Sequence, residues 1–265
     1  MNTNERHKIS DSITVCIPIR IDSKERLSNL ECIVDHFSNN GVRKILILES
    51  DKESYINPEA FNHGFEHIFE HDDNPRFHRT RLINMMLDRC VTPYAAIWDA
   101  DVIVPFESFK KAMKVLDKGE ATIVYPFDGR LWDIKEYFSE IFRIFKDEGL
   151  FSQYQCQIDL LNGYDSVGGG FLVNIQKYRA AGMENENFIG WGPEDEERYN
   201  RMFILGHKVE RINGEMYHLH HWRGINSSNR DKEMAVITKK EFAKVSSMNK
   251  VQLEKYVGSW SWLKK

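Results

Sequence analysis

Short β-branched apolar runs alternate along the chain with stretches whose apolar residues recur at helical spacing. Ile13 to Ile19 (ITVCIPI) is the first such run, and from Ser23 to Asn40 the residues Leu27, Leu30, Val34 and Phe37 fall on one helical face. Strand, loop and helix are predicted in that order. Lys44 to Leu48 (KILIL) follows Gly41 as a second strand and runs out at Glu49-Ser50-Asp51, so the chain opens with the βαβ pattern that builds a parallel sheet. Arg79 to Cys90 reads as a helix with Leu82, Ile83, Met86 and Cys90 on one face, and Tyr94 to Trp98 as a strand running into Asp99. Phe106, Phe109, Met113 and Leu116 mark another helix, and Ala121 to Tyr125 another strand. Ile134, Tyr137, Phe138, Ile141 and Phe145 outline a further amphipathic helix. A loop-rich region with Gly163 and Gly168-Gly169-Gly170 precedes a strand from Phe171 to Asn174. Lys239 to Tyr256 reads as one terminal helix covering the core. The expected fold is α/β, one compact domain over residues 1–265, with a soft boundary near residues 126–133 and no internal repeat.

Composition narrows what such a domain does. With 265 residues, 42% of them hydrophobic, the chain can bury one substantial core. The formal net charge is -4, which leaves no basic surplus to track a nucleic-acid backbone, so nucleic acid is excluded as a partner. Met1 to Asp11 is polar, and no run reaches the length of a membrane span, so a cytoplasmic protein is expected, with peripheral membrane association left open. Cys16, Cys32, Cys90 and Cys156 lie far apart without CxxC spacing and read as buried free thiols.

Three segments carry candidate chemistry. Asp99-Ala100-Asp101 directly follows an apolar strand, at the sheet edge where α/β proteins bind ligands. On an extended backbone its two acids would face the same side, one to take a divalent cation and the other a water or a ribose hydroxyl. A surface turn with two acids is the plainer alternative. Gly190-Trp191-Gly192-Pro193-Glu194-Asp195-Glu196-Glu197 places an indole and close backbone approach ahead of acids at a helix start. That is ordinary N-terminal helix decoration, or else a sugar platform beside a general base. Tyr217-His218-Leu219-His220-His221-Trp222-Arg223 offers imidazoles that complete a Mn²⁺ shell, or histidines that merely pack and hydrogen-bond. Trp222, Trp260 and Trp262 supply stacking surface or core.

In their order these segments resemble the GT-A glycosyltransferases, and most closely the group formed by the β-1,4-galactosyltransferases, the chondroitin-polymerising enzymes and the polypeptide N-acetylgalactosaminyltransferases. Val15 to Asp22 is similar to that group's first-strand Pro-Phe-Arg-Asn-Arg element; its second Arg is not reproduced in place, and whether Arg26 substitutes for it is open. Phe77 to Asn84 resembles the Phe-Asn-Arg-Ala-Lys-Leu-Leu-Asn helix start. Asp99-Ala100-Asp101 stands where the group has its DxD, and Gly168-Gly169-Gly170-Phe171 where it has Gly-Gly-Val/Ala. Gly190 to Asn200 matches Gly-Trp-Gly-Gly-Glu-Asp-Asp-Asp-x-x-Asn except at Pro193, Glu196 and Glu197.

The resemblance implies a GT-A sheet flanked by helices, with residues 1–130 binding a UDP-sugar and residues 131–265 a glycan or lipid-linked glycan acceptor. It assigns Pro18, Arg20, Asp22, Glu49, Arg79, Asp99, Asp101, Gly169, Gly170 and Trp191 to the donor, and Trp191, Glu194, Asp195 and Trp222 to the acceptor. Asp195 becomes the catalytic base, with Glu194 beside it as a sugar contact. Mn²⁺ or Mg²⁺ falls to Asp101, Asp99 and one or more of His218, His220 and His221. The implied reaction is inverting transfer of galactose, N-acetylgalactosamine or a related hexose. A retaining transferase and an inactive sugar-nucleotide or glycan-binding module are the alternatives. A loop within residues 131–164 is expected to fold over the donor, as such enzymes order a segment on binding.

Overall fold

A computed structural model describes residues 11–154, 156, 158–224 and 230–264. The polar segment 1–10 and the last residues of the resembling stretch, 225–229, lie outside it. β1 (Ile13–Ile19) is buried along its whole length, and α1 (Lys24–Asn39) follows, its start capped by Ser23, whose side chain accepts from the Arg26 N–H. Capping satisfies one of the four donors that every helix start leaves unpaired. β2 (Ile45–Asp51), β3 (Glu66–His71), α2 (Arg79–Arg89) and β4 (Tyr94–Trp98) complete the opening units. β1 pairs in parallel with both β2 and β4, and β2 with β3. β3 (EHIFEH) is an addition to the predicted elements. It lies at the edge of the sheet with half-polar faces, and such a strand produces no apolar run.

A short β5 (Val102–Ile103) leads into α3 (Phe106–Asp117) and β6 (Ile123–Tyr125). Beyond them come β7 (Arg130–Ile134), α4 (Glu136–Phe145), α5 (Gly149–Gln153) and β8 (Ile158–Asn162), so the span 131–164, within which a helix and a closing loop are expected, holds that helix and is mostly regular structure. Ile134, expected on the helix face, ends β7 instead. β9 (Gly170–Asn174), α6 (Ile175–Ala180), α7 (Glu194–Leu205), β10 (Val209–Arg211) and β11 (Glu215–His218) follow. The single terminal helix is two, α8 (Lys232–Ser246) and α9 (Lys250–Val257). They are separated by a capping box in which Asn249 and Gln252 bond each other's backbone.

Among the described residues seven strands form one sheet in the order β10-β6-β9-β4-β1-β2-β3, and four form a second, β5-β11-β7-β8. β9 runs antiparallel between β4 and β6, pairing Gly170 with Trp98. The main core packs the first sheet against its helices. Trp98 lies edge-on to Phe37 and Phe109 at 5.1 and 6.0 Å, all three fully buried. Each such side chain contributes ~1.5–3 kcal/mol, and Phe37→Ala would cost ~3–5 kcal/mol. A smaller cluster of Leu205, Val245, Leu253, Val257 and Trp260 seats α8 and α9 on α7. Trp260 is buried there and stacked on Trp262 at 4.9 Å, so these two indoles are packing residues.

Candidate active site

The strand ends of the first sheet and the inner edge of the second enclose a cleft of about 490 Å³. Its walls include Pro18, Arg20, Asp22, Arg26, Arg79, Asp99, Asp101, Gly169, Trp191, Glu194, Asp195, His218 and His221. Thus most residues singled out from the sequence meet in one place, although they come from segments 200 residues apart.

The second sheet assembles one end of this cleft. Antiparallel pairing of β11 with β5 sets His218 opposite Val102, the residue after Asp101, and parallel pairing with β7 sets His218 opposite Asp133. The Leu219 N–H donates to the Asp101 carbonyl at 2.7 Å, tying the two segments together. Asp101, His218 and His221 can each offer one ligand atom, all within 4.8 Å of one another. His218 Nδ1 lies 2.8 Å from Asp133 Oδ1 and His221 Nδ1 lies 2.6 Å from the Trp222 carbonyl. The Asp133 carboxylate is an acceptor, so His218 Nδ1 carries the proton and its Nε2 is left with a lone pair, while His221 Nδ1 sits between that carbonyl and a donor, Arg26 NH2, at 3.1 Å. His221 Nε2 lies 3.2 Å from Asp101 Oδ2. That spacing matches the ~3 Å between neighbouring ligands on one ion at ~2.1 Å, so the donor set fits a divalent cation.

Arg26, whose part the sequence left open, donates from NH1 to Asp101 Oδ2 at 3.0 Å and from Nε to Asp22 at 2.8 Å. Burial would raise the Asp101 carboxyl, but the His221 hydrogen bond and the charges of His218 and Arg26 outweigh it and hold the group well below the usual carboxylate range.

Asp99 stands apart from this group. Asp99 to Asp101 is a turn and not an extended backbone, so the two carboxylates diverge. Arg79 takes Asp99 Oδ1 in two hydrogen bonds, from Nε at 3.0 Å and NH2 at 2.6 Å. Burial nevertheless raises its carboxyl, Arg79 offsetting part of the effect and the charges of Asp101 and Asp195 adding to it. His220 also stays out of the group. The strand ends at His218, and His220 serves through its backbone, its N–H donating to Ser139 Oγ and its carbonyl accepting from Asn29 and Arg143.

At the other end of the cleft α7 begins with Glu194 and Asp195. Asp195 Oδ1 is held by Arg198 NH2, one turn on, and lies 3.6 Å from Arg79 NH1. Arg198 is wholly buried with its guanidinium 3.9 Å over the Phe171 ring, and its Nε donates to the buried Glu184 at 2.9 Å. Asp195 Oδ2 is turned the other way, toward Gly168, where any Cβ would collide with it. Gly169 has φ +82°, and a Cβ there would press on Met216. Gly168 lets the backbone approach the base candidate, and Gly169 leaves room for Met216. Glu194 is buried, its Oε2 has no partner among the described residues, and burial with the adjacent Asp195 charge pushes its carboxyl up to about 8. It is a neutral acid at pH 7. Trp191 is half-exposed on the rim, and Gly192 packs against Thr238 of α8, where a side chain would clash.

Three other assignments fall elsewhere. Glu49 does not reach the cleft, because β2 continues to Asp51 and its carboxylate is taken by Ser54 Oγ, the Tyr55 N–H and His67 Nε2. Gly170 lies beneath the Trp98 indole, which a Cβ would meet at 2.9 Å, so it serves the core. Trp222 is mostly exposed beside Gly224 and does not line the cleft. Sequence reading missed Asp133 and Arg198, although Arg198 lies at the i,i+3 spacing from Asp195 that faces it on a helix.

Residues 151–222 match a family model described as the N-terminal domain of galactosyltransferase, a span that holds Gly168 to Phe171, Gly190 to Asn200 and the histidines. No curated protein sequence matches the chain. Among solved structures, the catalytic domain of Drosophila beta1,4galactosyltransferase 7 in complex with xylobiose superposes with a TM-score of 0.55 at 17% identity. That match covers 90% of this chain and 82% of the other. A mutant of the same Drosophila enzyme, in complex with manganese, UDP-Gal and xylobiose, gives 0.53 at 18% identity, over 84% and 78%. GalNAc-T7 with UDP, GalNAc and Mn²⁺ gives 0.59 at 10% identity, covering 88% of this chain and 47% of that one, so the chain spans about half its length. By architecture the chain has the GT-A glycosyltransferase fold.

Proposed function

We propose that the chain is a metal-dependent glycosyltransferase that moves galactose, N-acetylgalactosamine or a related hexose from a UDP-sugar to a glycan hydroxyl with inversion. One observation carries the reading: the ligand set Asp101, His218 and His221 and the Asp195 carboxylate line a single cleft large enough for a sugar nucleotide. Asp101, His218 and His221 would hold Mn²⁺, Mg²⁺ being less suited to two imidazoles. A cation bound there supplies Lewis-acid neutralisation of the departing diphosphate. Arg20, Arg26 and Arg79 bring fixed positive charge to the same wall. Asp195 Oδ2 takes the acceptor hydroxyl's proton as that oxygen bonds the anomeric carbon and the bond to UDP breaks on the opposite face. Neutral Glu194 donates a hydrogen bond to a sugar oxygen, and Trp191 offers its indole to a sugar face.

Leu160, Leu161 and Tyr164 are half-exposed or more, and Leu161 itself lines the cleft. This apolar rim favours a lipid-linked glycan acceptor. Among the described residues no helix is long and apolar enough to cross a membrane. We place the reaction in the cytoplasm because Cys16, Cys32, Cys90 and Cys156 are all free thiols.

Thermal-shift measurements with nucleotides and UDP-sugars, with and without Mn²⁺, test the reading, since a ligand that binds only the folded state raises its stability. Stabilisation by one UDP-sugar that disappears on chelation is expected and names the donor for turnover assays. No stabilisation by any nucleotide sinks the proposal. The anomeric configuration of the product separates inversion from retention.

A further inference from the structure

A pair of thiols lies outside the cleft, toward the opposite end of the first sheet. Cys16, in the middle of β1, is completely buried, and Cys90 is the residue that ends α2. Their sulfurs are 3.5 Å apart. The contact is fixed from the side: Thr14 and Thr92, each two residues away on the same two segments, join their hydroxyls at 2.8 Å. A second cavity of about 310 Å³ opens here, among the first residues of β1, β2 and β3. Cys90 is on its wall with Arg43, Lys44 and Arg89, while Cys16 does not line it. Cys90 is therefore the thiol residue that borders the cavity, and Cys16 stands directly behind it.

We propose that Cys90 and Cys16 form a hydroperoxide-reactive dithiol site, with Cys90 attacking the peroxide and Cys16 closing a disulfide behind it. In the first step the Cys90 sulfur bonds the nearer peroxide oxygen and the O–O bond breaks. The hydroxide that leaves takes the thiol proton as water, and Cys90 becomes a sulfenic acid. In the second, the Cys16 sulfur attacks the Cys90 sulfur, the S–O bond breaks, and hydroxide departs with the Cys16 proton as a second water. The two thiols lose two electrons and the peroxide gains them.

The electrostatics assign the same order. The hydrogen bond from Cys16 holds the Cys90 thiol below its ordinary range although burial opposes it, while the Cys16 thiol is raised well above its range by that bond and by burial. Closing the sulfurs to bonding distance, about 2 Å, asks for a movement of roughly 1.5 Å at a helix end, where the backbone yields most easily. β1 runs on to Pro18 and Arg20, and α2 starts at Arg79, so the bond would join two elements that both supply walls of the cleft. The proposal does not depend on glycosyl transfer.

The test treats the full chain with hydrogen peroxide, unfolds it in an alkylating agent, and maps the four cysteines by mass spectrometry without reduction. The expected product is a Cys16–Cys90 linked peptide that has lost two hydrogens, formed more than about tenfold faster than Cys156 is oxidised. In Cys16→Ser the reaction should stop at a Cys90 sulfenic acid that dimedone traps. Alkylation of Cys16 and Cys90 in full while exposed Cys156 consumes the peroxide would overturn the proposal. That result is read on the native sequence and requires no variant to fold.

Discussion

Two pairs of carboxyl groups line the cleft, joined through Arg79, and the protein treats them differently. Asp99 and Asp101 sit on a turn after a buried strand, and both are met by arginine, Arg79 doubly on Asp99 and Arg26 on Asp101, with the imidazoles of His218 and His221 also beside Asp101. Glu194 and Asp195 sit on the first turn of a helix, and only Asp195 is met, by Arg198 and Arg79. Glu194 is buried with an unpartnered oxygen. The first pair is built for a permanent positive charge. In the proposed reaction the second splits its duties, one carboxylate to accept a proton and one neutral acid to donate a hydrogen bond. Pairs of acids whose surroundings push them apart in this way are how one fold runs acid and base chemistry at one pH.

The sharpest way to break the comparison is Asp195→Asn. It keeps the shape and the contact with Arg198 but removes the base, so turnover should fall by about 10²–10⁴-fold while UDP-sugar binding changes little. Equal losses in both would show that the helix start only holds the donor. Next in size is Asp101→Asn, which takes the one anionic ligand from the cation set. Mn²⁺ affinity, followed by titration calorimetry, should drop by more than about a hundredfold, and nucleotide stabilisation should no longer respond to chelation. Asp133→Asn is the milder form of that experiment. Asp133 fixes the His218 tautomer without touching the ion, and a loss of about 10–100-fold in Mn²⁺ affinity is expected, read in the same titration. An unchanged affinity would remove His218 from the ligand set.

How much of this was legible before folding differs between the two sheets. β1, α1, α2, β4 and α3 declared themselves because strands covered on both faces read as unbroken apolar runs and the helices between them keep one apolar face. β7, β8 and β11 did not. They are short, their burial is uneven, and only their pairing gives them meaning, since the register that sets His218 against Val102 and Asp133 joins residues 85 and 116 positions apart. Asp101, Asp195, His218 and His221 could be picked out by motif. The choice among the three histidines could not, because it depends on where β11 ends. Glu49 misled for a related reason. An acid at the close of an apolar run resembles a ligand at a strand end, yet two more residues of strand bury it inside the sheet, where Ser54, Tyr55 and His67 take its oxygens. The buried Arg198 and Glu184 pair was hidden because charges in a helix are read as its solvated face, and burial of an ion pair is visible only in three dimensions.

The smallest effect tests the neutral half of the second pair. Glu194 is raised to about 8 in the fold from an ordinary value of 4.5, so between those two pH values the folded chain holds a proton that the unfolded chain has released. Stability must therefore fall as pH rises through that window, by at most ~1.4 kcal/mol per pH unit for one proton. Glu194→Gln keeps the shape and a hydrogen-bond donor but cannot ionise. In urea denaturation at pH 6 and pH 8 the native chain should lose about 2 kcal/mol more than the variant across the interval, and the two should converge in acid. Turnover should follow the same division, with the variant keeping activity above pH 8 where the native chain declines. A native chain whose pH dependence matches that of Glu194→Gln would mean that Glu194 is ionised throughout, and that both carboxyl pairs carry the same charge.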